Sequence, residues 1–71
     1  MDHRPIAYLT IVDRGRMTSY RLCDAAGRLL WATRAYTTEE GRDGARARLR
    51  AWMAETGYRV ELVETERRRR A

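Results

Sequence analysis

Two segments near the N-terminus have the residue pattern of β-strands. Residues 6–12 are rich in β-branched and aromatic side chains, and this run is too short for a helix. Gly15 can adopt the positive φ of a hairpin turn. Residues 17–23 then alternate, with Tyr20 and Leu22 on the more apolar side. The pattern predicts two antiparallel strands joined by a hairpin.

A second turn leads into a third predicted strand. Asp24 is suited to open a type I turn, and Gly27 supplies the left-handed residue that closes it. The strand that follows spans residues 28–36. One side holds Leu30, Ala32 and Tyr36, and the other holds Leu29, Trp31, Thr33 and Ala35. Because both sides carry large apolar groups, we expect the strand to be covered on both faces or to display Trp31 to a partner.

The period of the apolar residues changes to that of a helix after the third strand. Thr37 and Glu40 have the spacing of a capping box, which predicts that a helix begins here. Gly57 supplies a left-handed C-terminal cap, so the helix is expected to end near residues 55–56. The predicted core stripe of this helix consists of Ala45, Leu49, Trp52 and Met53.

Two glycines lie inside the predicted helix, at positions 41 and 44. Each weakens a helix by up to about 1 kcal/mol relative to alanine. We therefore interpret Gly41 and Gly44 as residues that permit a close approach between the helix and the sheet.

The last segment, residues 58–64, alternates again and predicts a fourth strand. Tyr58, Val60 and Leu62 share one side of it. A right-handed crossover through the helix brings this strand back parallel to the first. The sequence thus predicts a two-layer α+β fold of order β-β-β-α-β, an antiparallel meander with one helix on one face and a sheet order of 3-2-1-4. The third and fourth strands are then edges, and a small sheet with free edges favours a homodimer.

Charge is concentrated at the C-terminus. The chain has 71 residues and a net charge of +5, and all 15 of its basic residues are arginine. Four of them form the run Arg67, Arg68, Arg69 and Arg70, without which 11 arginines face 10 acids. We therefore predict a single domain over residues 1–66 and a disordered basic tail over residues 67–71.

The residue types that carry catalysis are poorly placed for it. A two-metal nuclease site would have to use Asp13, Glu40 and Glu64, yet Asp13 falls at a strand end and Glu40 is explained as a cap. His3 and Cys23 are solitary, so no metal-ligand pair has useful spacing. We predict no enzymatic activity, no catalytic residue, no cofactor and no metal. No apolar run is long enough for a signal or a membrane span, which predicts a cytoplasmic protein without membrane contact.

The order of the elements resembles two families. The stretch from Thr37 to Trp52, a capped helix after a sheet, is similar to the truncated ribonuclease H-like layout of HicB-type antitoxins. Three strands followed by a helix, with residues 24–28 at a hairpin, also resemble the arm-type DNA-binding domains of tyrosine integrases.

The body of the chain favours a protein-binding function. It is nearly neutral, has predicted free sheet edges and carries a surplus of aromatic residues, and arginine and aromatic residues form interface hot spots. We predict an inhibitor- or antitoxin-like protein, for example an inhibitor of a bacterial defence complex such as CRISPR-Cas, encoded by a phage or mobile element. The predicted contact residues are Trp31, Arg34, Tyr36, Arg46 and Arg50.

The alternative is a nucleic-acid-binding module. It would use the arginine-rich helix, the hairpin arginines and the run from Arg67 to Arg70. Such a run holds phosphates without sequence specificity, and its affinity falls steeply with salt.

Overall fold

The computed structural model describes residues 3–67. The elements follow one another in the predicted order of three strands, a helix and a strand. They are β1 (Ile6–Asp13), β2 (Met17–Cys23), β3 (Leu29–Tyr36), α1 (Glu39–Thr56) and β4 (Arg59–Arg67). Arg67, the first residue of the predicted tail, is therefore the last residue of β4.

The four strands form one mixed sheet in the order β3-β2-β1-β4. β1 pairs antiparallel with β2 and parallel with β4, and β2 pairs antiparallel with β3. This topology confirms the predicted α+β architecture and the position of the last strand beside the first. The register places Leu9, Leu22 and Trp31 in one cross-strand row. That row identifies the apolar face of the sheet, because residues i and i+2 share a face.

One face of the sheet is covered by α1, and we refer to it as the covered face. Its buried apolar side chains, together with Ala45 of the helix, are Ala7, Leu9, Tyr20, Leu22 and Ala35. The other residues of the predicted helix stripe, Leu49, Trp52 and Met53, are half-buried. The helix lies mainly over β3, and Leu62 on the distant strand β4 is 60% exposed.

A β-bulge at the start of β3 changes the side to which two leucines turn. Leu22 pairs with Trp31 whereas Cys23 pairs with Leu29, so Leu30 is an extra residue in β3. Leu30 consequently packs against the core, and Leu29 is 53% exposed. The predicted sides of Leu29 and Leu30 are therefore wrong, because strict alternation does not allow for an inserted residue.

The helix begins one residue later than the capping-box pattern predicts. Thr38 is the N-cap, and its Oγ1 accepts a hydrogen bond from the Gly41 N–H at 3.0 Å. Thr37 stays with the sheet, since its N–H donates to the Arg16 carbonyl at 2.8 Å and its Oγ1 hydrogen-bonds the buried Thr18 hydroxyl at 2.8 Å. Because these bonds tie Thr37 to residues beside the end of β3 and Thr38 caps the helix instead, the predicted capping box at Thr37 is wrong.

The glycines of the helix have different roles. Gly57 is the predicted C-cap, with a φ of 78° and an N–H that donates back into the last turn. Gly41 lies against the backbone of Tyr36, where a Cβ would overlap the carbonyl oxygen. A Cβ at Gly44 would reach only the Arg48 guanidinium, at 3.4 Å. The predicted close approach is thus confirmed for Gly41 and wrong for Gly44.

Candidate partner-binding surface

The face of the sheet opposite α1 bears a shallow cavity, and we refer to this side as the open face. Two adjacent cross-strand rows lie on the open face. The first row consists of Thr10, Arg21 and Ala32, and the second consists of Val12, Ser19 and Arg34. With Arg14, Leu29 and Glu66 among their neighbours, these residues line a volume of about 670 Å³. A cavity of this size accommodates a small molecule or a few side chains of a partner.

Three exposed arginines surround the cavity. They are Arg14, Arg21 and Arg34. Within residues 3–67 none of the three forms an ion pair. Arg28, by contrast, donates from Nε to the Asp24 carboxylate at 3.0 Å. The three guanidinium groups of the open face therefore keep their donors for an acidic ligand.

Two of these arginines are diagonal neighbours on adjacent strands. Arg21 lies opposite Ala32, and Arg34 is two residues further along β3. Side chains in such diagonal positions start roughly 7 to 8 Å apart, so both guanidinium groups can reach one anionic group. Ser19 lies opposite Arg34 and adds a hydroxyl, while Glu66 is the one carboxylate among the residues that line the cavity. The arrangement suits carboxylate or phosphate oxygens, which guanidinium binds in a bidentate manner.

Two of the five predicted contact residues lie together on this surface. Arg34 and Tyr36 are separated by two positions on β3 and share the open face. Tyr36 is 67% exposed and stands at the end of an edge strand. An exposed tyrosine next to an unpaired arginine has the composition of an interface hot spot.

Trp31 lies on the covered face, away from Arg34 and Tyr36. Its ring centroid is 6.4 Å from that of Trp52, which in turn lies 5.1 Å from that of Tyr58. β3 is thus covered on one face and open on the other, so the expectation of cover on both faces is wrong. Trp31, Trp52 and Tyr58 form an aromatic cluster, and packing in this cluster accounts for the half-buried position of Trp31. A role of Trp31 in partner contact stays a prediction.

The remaining predicted contact residues are elsewhere in the chain. Arg46 and Arg50 are exposed on α1, in the layer behind the sheet, and Arg46 Nη1 donates to Asp43 at 3.2 Å. Arg67 ends β4, and Arg68, Arg69 and Arg70 lie outside the described residues. The structure therefore does not bring Arg46 and Arg50 together with Arg34 and Tyr36.

The carboxylates considered for a two-metal site have separate positions and partners. Asp13 Oδ1 accepts a hydrogen bond from the Gly15 N–H at 2.9 Å, which closes the first hairpin turn. Glu40 is exposed in the first turn of α1, and Glu64 is exposed on β4. In the part of the chain that the structure describes, no three potential metal ligands come together.

The sequence places Arg14 and Arg21 in or beside hairpins, and they are not among the predicted contact residues. The alternation of Arg21 with Tyr20 and Leu22 does place it on the side away from the core. Its proximity to Arg34 depends on the register of β2 against β3, which the alternation of a single strand does not reveal.

Comparisons with protein-family models, with curated proteins and with solved structures find no match to this chain. The two resemblances therefore rest on the order of the elements and on the stretches quoted for them. The one helix among residues 3–67 is not apolar enough to cross a membrane.

Proposed function

We propose that this chain is a non-enzymatic binding protein that acts by contact with another protein, through the open face and the adjoining end of β3. The observation that carries the proposal is the set of three arginines around the cavity that form no ion pair within residues 3–67. These guanidinium groups are exposed and form no ion pair with a carboxylate of the described residues. Such groups favour a partner with an acidic surface.

Apolar groups beside these arginines favour a protein over a nucleic acid. Leu29 and Tyr36 are more than half exposed and stand at the two ends of β3, with Arg34 between them. Protein interfaces combine such anchors with arginine, whereas most contacts to duplex DNA are hydrogen bonds to phosphate and sugar oxygens. The helix arginines lie in the other layer, and Arg46 is already engaged by Asp43.

A protein that binds in this way can act by occupying a partner's surface. An inhibitor- or antitoxin-like role, such as blocking a bacterial defence complex of the CRISPR-Cas type, is the biological setting that we propose. A cytoplasmic location and an origin in a phage or mobile element are part of that proposal. A homodimer also stays a prediction, which light scattering in dilute solution measures directly.

The test is capture of a partner from host lysate with the full-length chain, after nuclease treatment and at moderate salt. A variant with Arg14, Arg21 and Arg34 changed to alanine should lose the partner that the native chain retains. A matched variant with Arg42, Arg46 and Arg50 changed to alanine removes the same charge from the helix and should retain it. Loss in the helix variant alone would contradict the proposal and place the contact on α1.

Nucleic-acid binding is the second candidate, because the arginines of the open face also suit phosphates. The arginine-rich helix, the hairpins and the run from Arg67 to Arg70 would add to it. Binding of duplex DNA and of single-stranded RNA, measured from 50 to 300 mM salt, distinguishes the two candidates. Affinity that falls by about a thousandfold over this range, with no protein captured after nuclease treatment, would support this candidate and overturn the first.

A further inference from the structure

The two edges of the sheet differ in how they are protected. β4 carries five charged residues among nine, and a β-bulge leaves Val63 as an extra residue beside Leu9 and Thr10. β3 carries one charged residue, Arg34, among eight, and its own β-bulge at Leu30 lies near the start of the strand. Charges and bulges are the devices that keep an edge from pairing with another chain, so β4 is protected along its length, whereas the regular part of β3 after its bulge is available.

The backbone groups that β3 directs outward can be identified from the ladder. The Thr37 N–H donates to the Arg16 carbonyl, so Thr37 faces β2. Because the direction of the backbone groups alternates along a strand, Ala32, Arg34 and Tyr36 direct their N–H and C=O groups away from β2. In agreement with this, the Arg34 carbonyl accepts a hydrogen bond from outside the sheet, from Arg48 Nη2 at 3.4 Å.

Positive charge lies on both sides of this edge. The Arg34 side chain projects on the open face, while Arg48 reaches over from α1 and donates from Nε to the Thr33 hydroxyl at 3.2 Å. Neither guanidinium is paired with a carboxylate within residues 3–67. A strand added next to β3 would therefore have an arginine beside each of its two faces.

We propose that the edge of β3 accepts an extended acidic segment of a partner protein as a fifth strand. The segment hydrogen-bonds to the outward backbone groups of Ala32, Arg34 and Tyr36, and the Arg34 carbonyl, which already accepts from Arg48, uses its second lone pair. Its acidic side chains at successive positions meet Arg34 on the open face and Arg48 on the covered face. This mode of binding rests on the proposed function and names the chemistry of the partner segment.

The probe is a blocked seven-residue peptide with two adjacent glutamates at its centre, flanked by threonine and valine. One N-methylated version carries methyl groups on all central amides, so that it has no N–H group to form ladder hydrogen bonds with β3 in either register, and it should bind at least tenfold more weakly than the unmodified peptide. A control version carries methyl groups only on its two terminal amides and should bind within about twofold of the unmodified peptide, since its central amides stay able to donate.

Amide hydrogen exchange of the full-length chain gives the residue-level result. Exchange at Ala32, Arg34 and Tyr36 should slow on addition of the unmodified peptide. Exchange at Thr33 and Ala35 should stay unchanged, because these amides already face β2. Both Arg34→Ala and Arg48→Ala should weaken binding by about fivefold, whereas the matched variant Arg42→Ala should stay within about twofold.

Binding of the centrally methylated peptide within about twofold of the unmodified peptide would overturn the proposal, since charge attraction alone does not need the amide N–H groups. Absence of binding at millimolar peptide, or unchanged exchange at Ala32, Arg34 and Tyr36, would overturn it as well. The proposed function and strand addition are distinguished by comparing two results. If partner capture depends on the open-face arginines but amide exchange at the β3 edge does not slow, the proposed function is retained and strand addition is rejected.

Discussion

Gly41 and Tyr36 are in backbone contact where β3 gives way to α1. The side of Gly41 that would carry a Cβ faces the Tyr36 carbonyl oxygen. This contact determines the distance between the first turn of the helix and the sheet. It lies only a few residues before the buried Ala45, which packs the helix into the core. The absence of a side chain at position 41 is therefore a condition of the two-layer fold.

Replacing Gly41 by alanine should destabilise the protein by about 1 to 3 kcal/mol, because the backbone of β3 or of α1 must shift to admit the methyl group. Gly44→Ala is the matched control, since its Cβ meets only the flexible end of Arg48 at 3.4 Å. It should leave stability unchanged or raise it by up to about 1 kcal/mol, because alanine is the better helix former. Urea denaturation followed by circular dichroism measures both values. Equal effects of the two changes would contradict the contact.

The helix cap yields a second prediction. Thr38→Ala should cost about 1 kcal/mol, because the Gly41 N–H loses its acceptor, and Thr38→Ser should retain most of that stability. Glu40→Ala should change stability by less than about 0.5 kcal/mol, as expected for an exposed residue outside a capping box, whereas glutamine could replace glutamate in such a box and would not test it. Urea denaturation of Thr38→Ala, Thr38→Ser and Glu40→Ala is the measurement. A larger loss of stability for Glu40→Ala than for Thr38→Ala would show that Glu40 does take part in a capping box.

The turn between β2 and β3 gives a pH-dependent prediction. The Asp24 carboxylate accepts hydrogen bonds from the N–H groups of Arg28 and Ala26 and from Arg28 Nε, which lower its pKa from the usual value of 3.8. A carboxyl group with a lowered folded-state pKa stabilises the fold above its unfolded pKa, and this contribution is lost as the pH falls through the folded-state pKa.

The native chain should therefore be more stable than Asp24→Asn at pH 6, and this difference in stability should shrink as the pH is lowered through 3.8 and below. The difference between their urea midpoints, measured at several pH values, reports this. A difference that does not shrink on acidification would show that the charge of Asp24 contributes nothing to the turn.

The aromatic cluster yields a fourth prediction. Trp52→Ala should destabilise the protein by about 2 to 4 kcal/mol, because Trp52 contacts both Trp31 and Tyr58 and joins the helix to the sheet. Trp31→Phe should cost less, since a ring remains in place. Guanidinium denaturation gives both values. Partner capture by the folded Trp31→Phe variant tests the separate prediction that Trp31 contacts a partner.

The periodicity of apolar residues was sufficient to predict the five elements and their order, because each element has one face in the core. The helix begins one residue later than predicted because Thr37 hydrogen-bonds to Arg16 and to the Thr18 hydroxyl, and a local capping pattern carries no information on these long-range bonds. The sides of Leu29 and Leu30 were misassigned because an inserted residue reverses alternation.

The candidate site was predictable only where its residues belong to one strand. Arg34 and Tyr36 share a face by their spacing, and the structure places them together. The neighbour of Arg34 on the next strand, Arg21, depends on pairing between strands, which no spacing along the chain encodes. The helix pattern of Arg46 and Arg50 does not show that α1 packs on the face of the sheet opposite Arg34.

The contact between Trp31 and Trp52 gives the molecule an optical reporter of its own. One indole belongs to the edge strand and the other to the helix, with their centroids 6.4 Å apart. A ligand that straightens or shifts β3 changes the surroundings of both rings at once, and these are the two tryptophans of the chain. Their emission can thus follow events at the sheet edge without any attached dye, in titrations and in stopped-flow mixing.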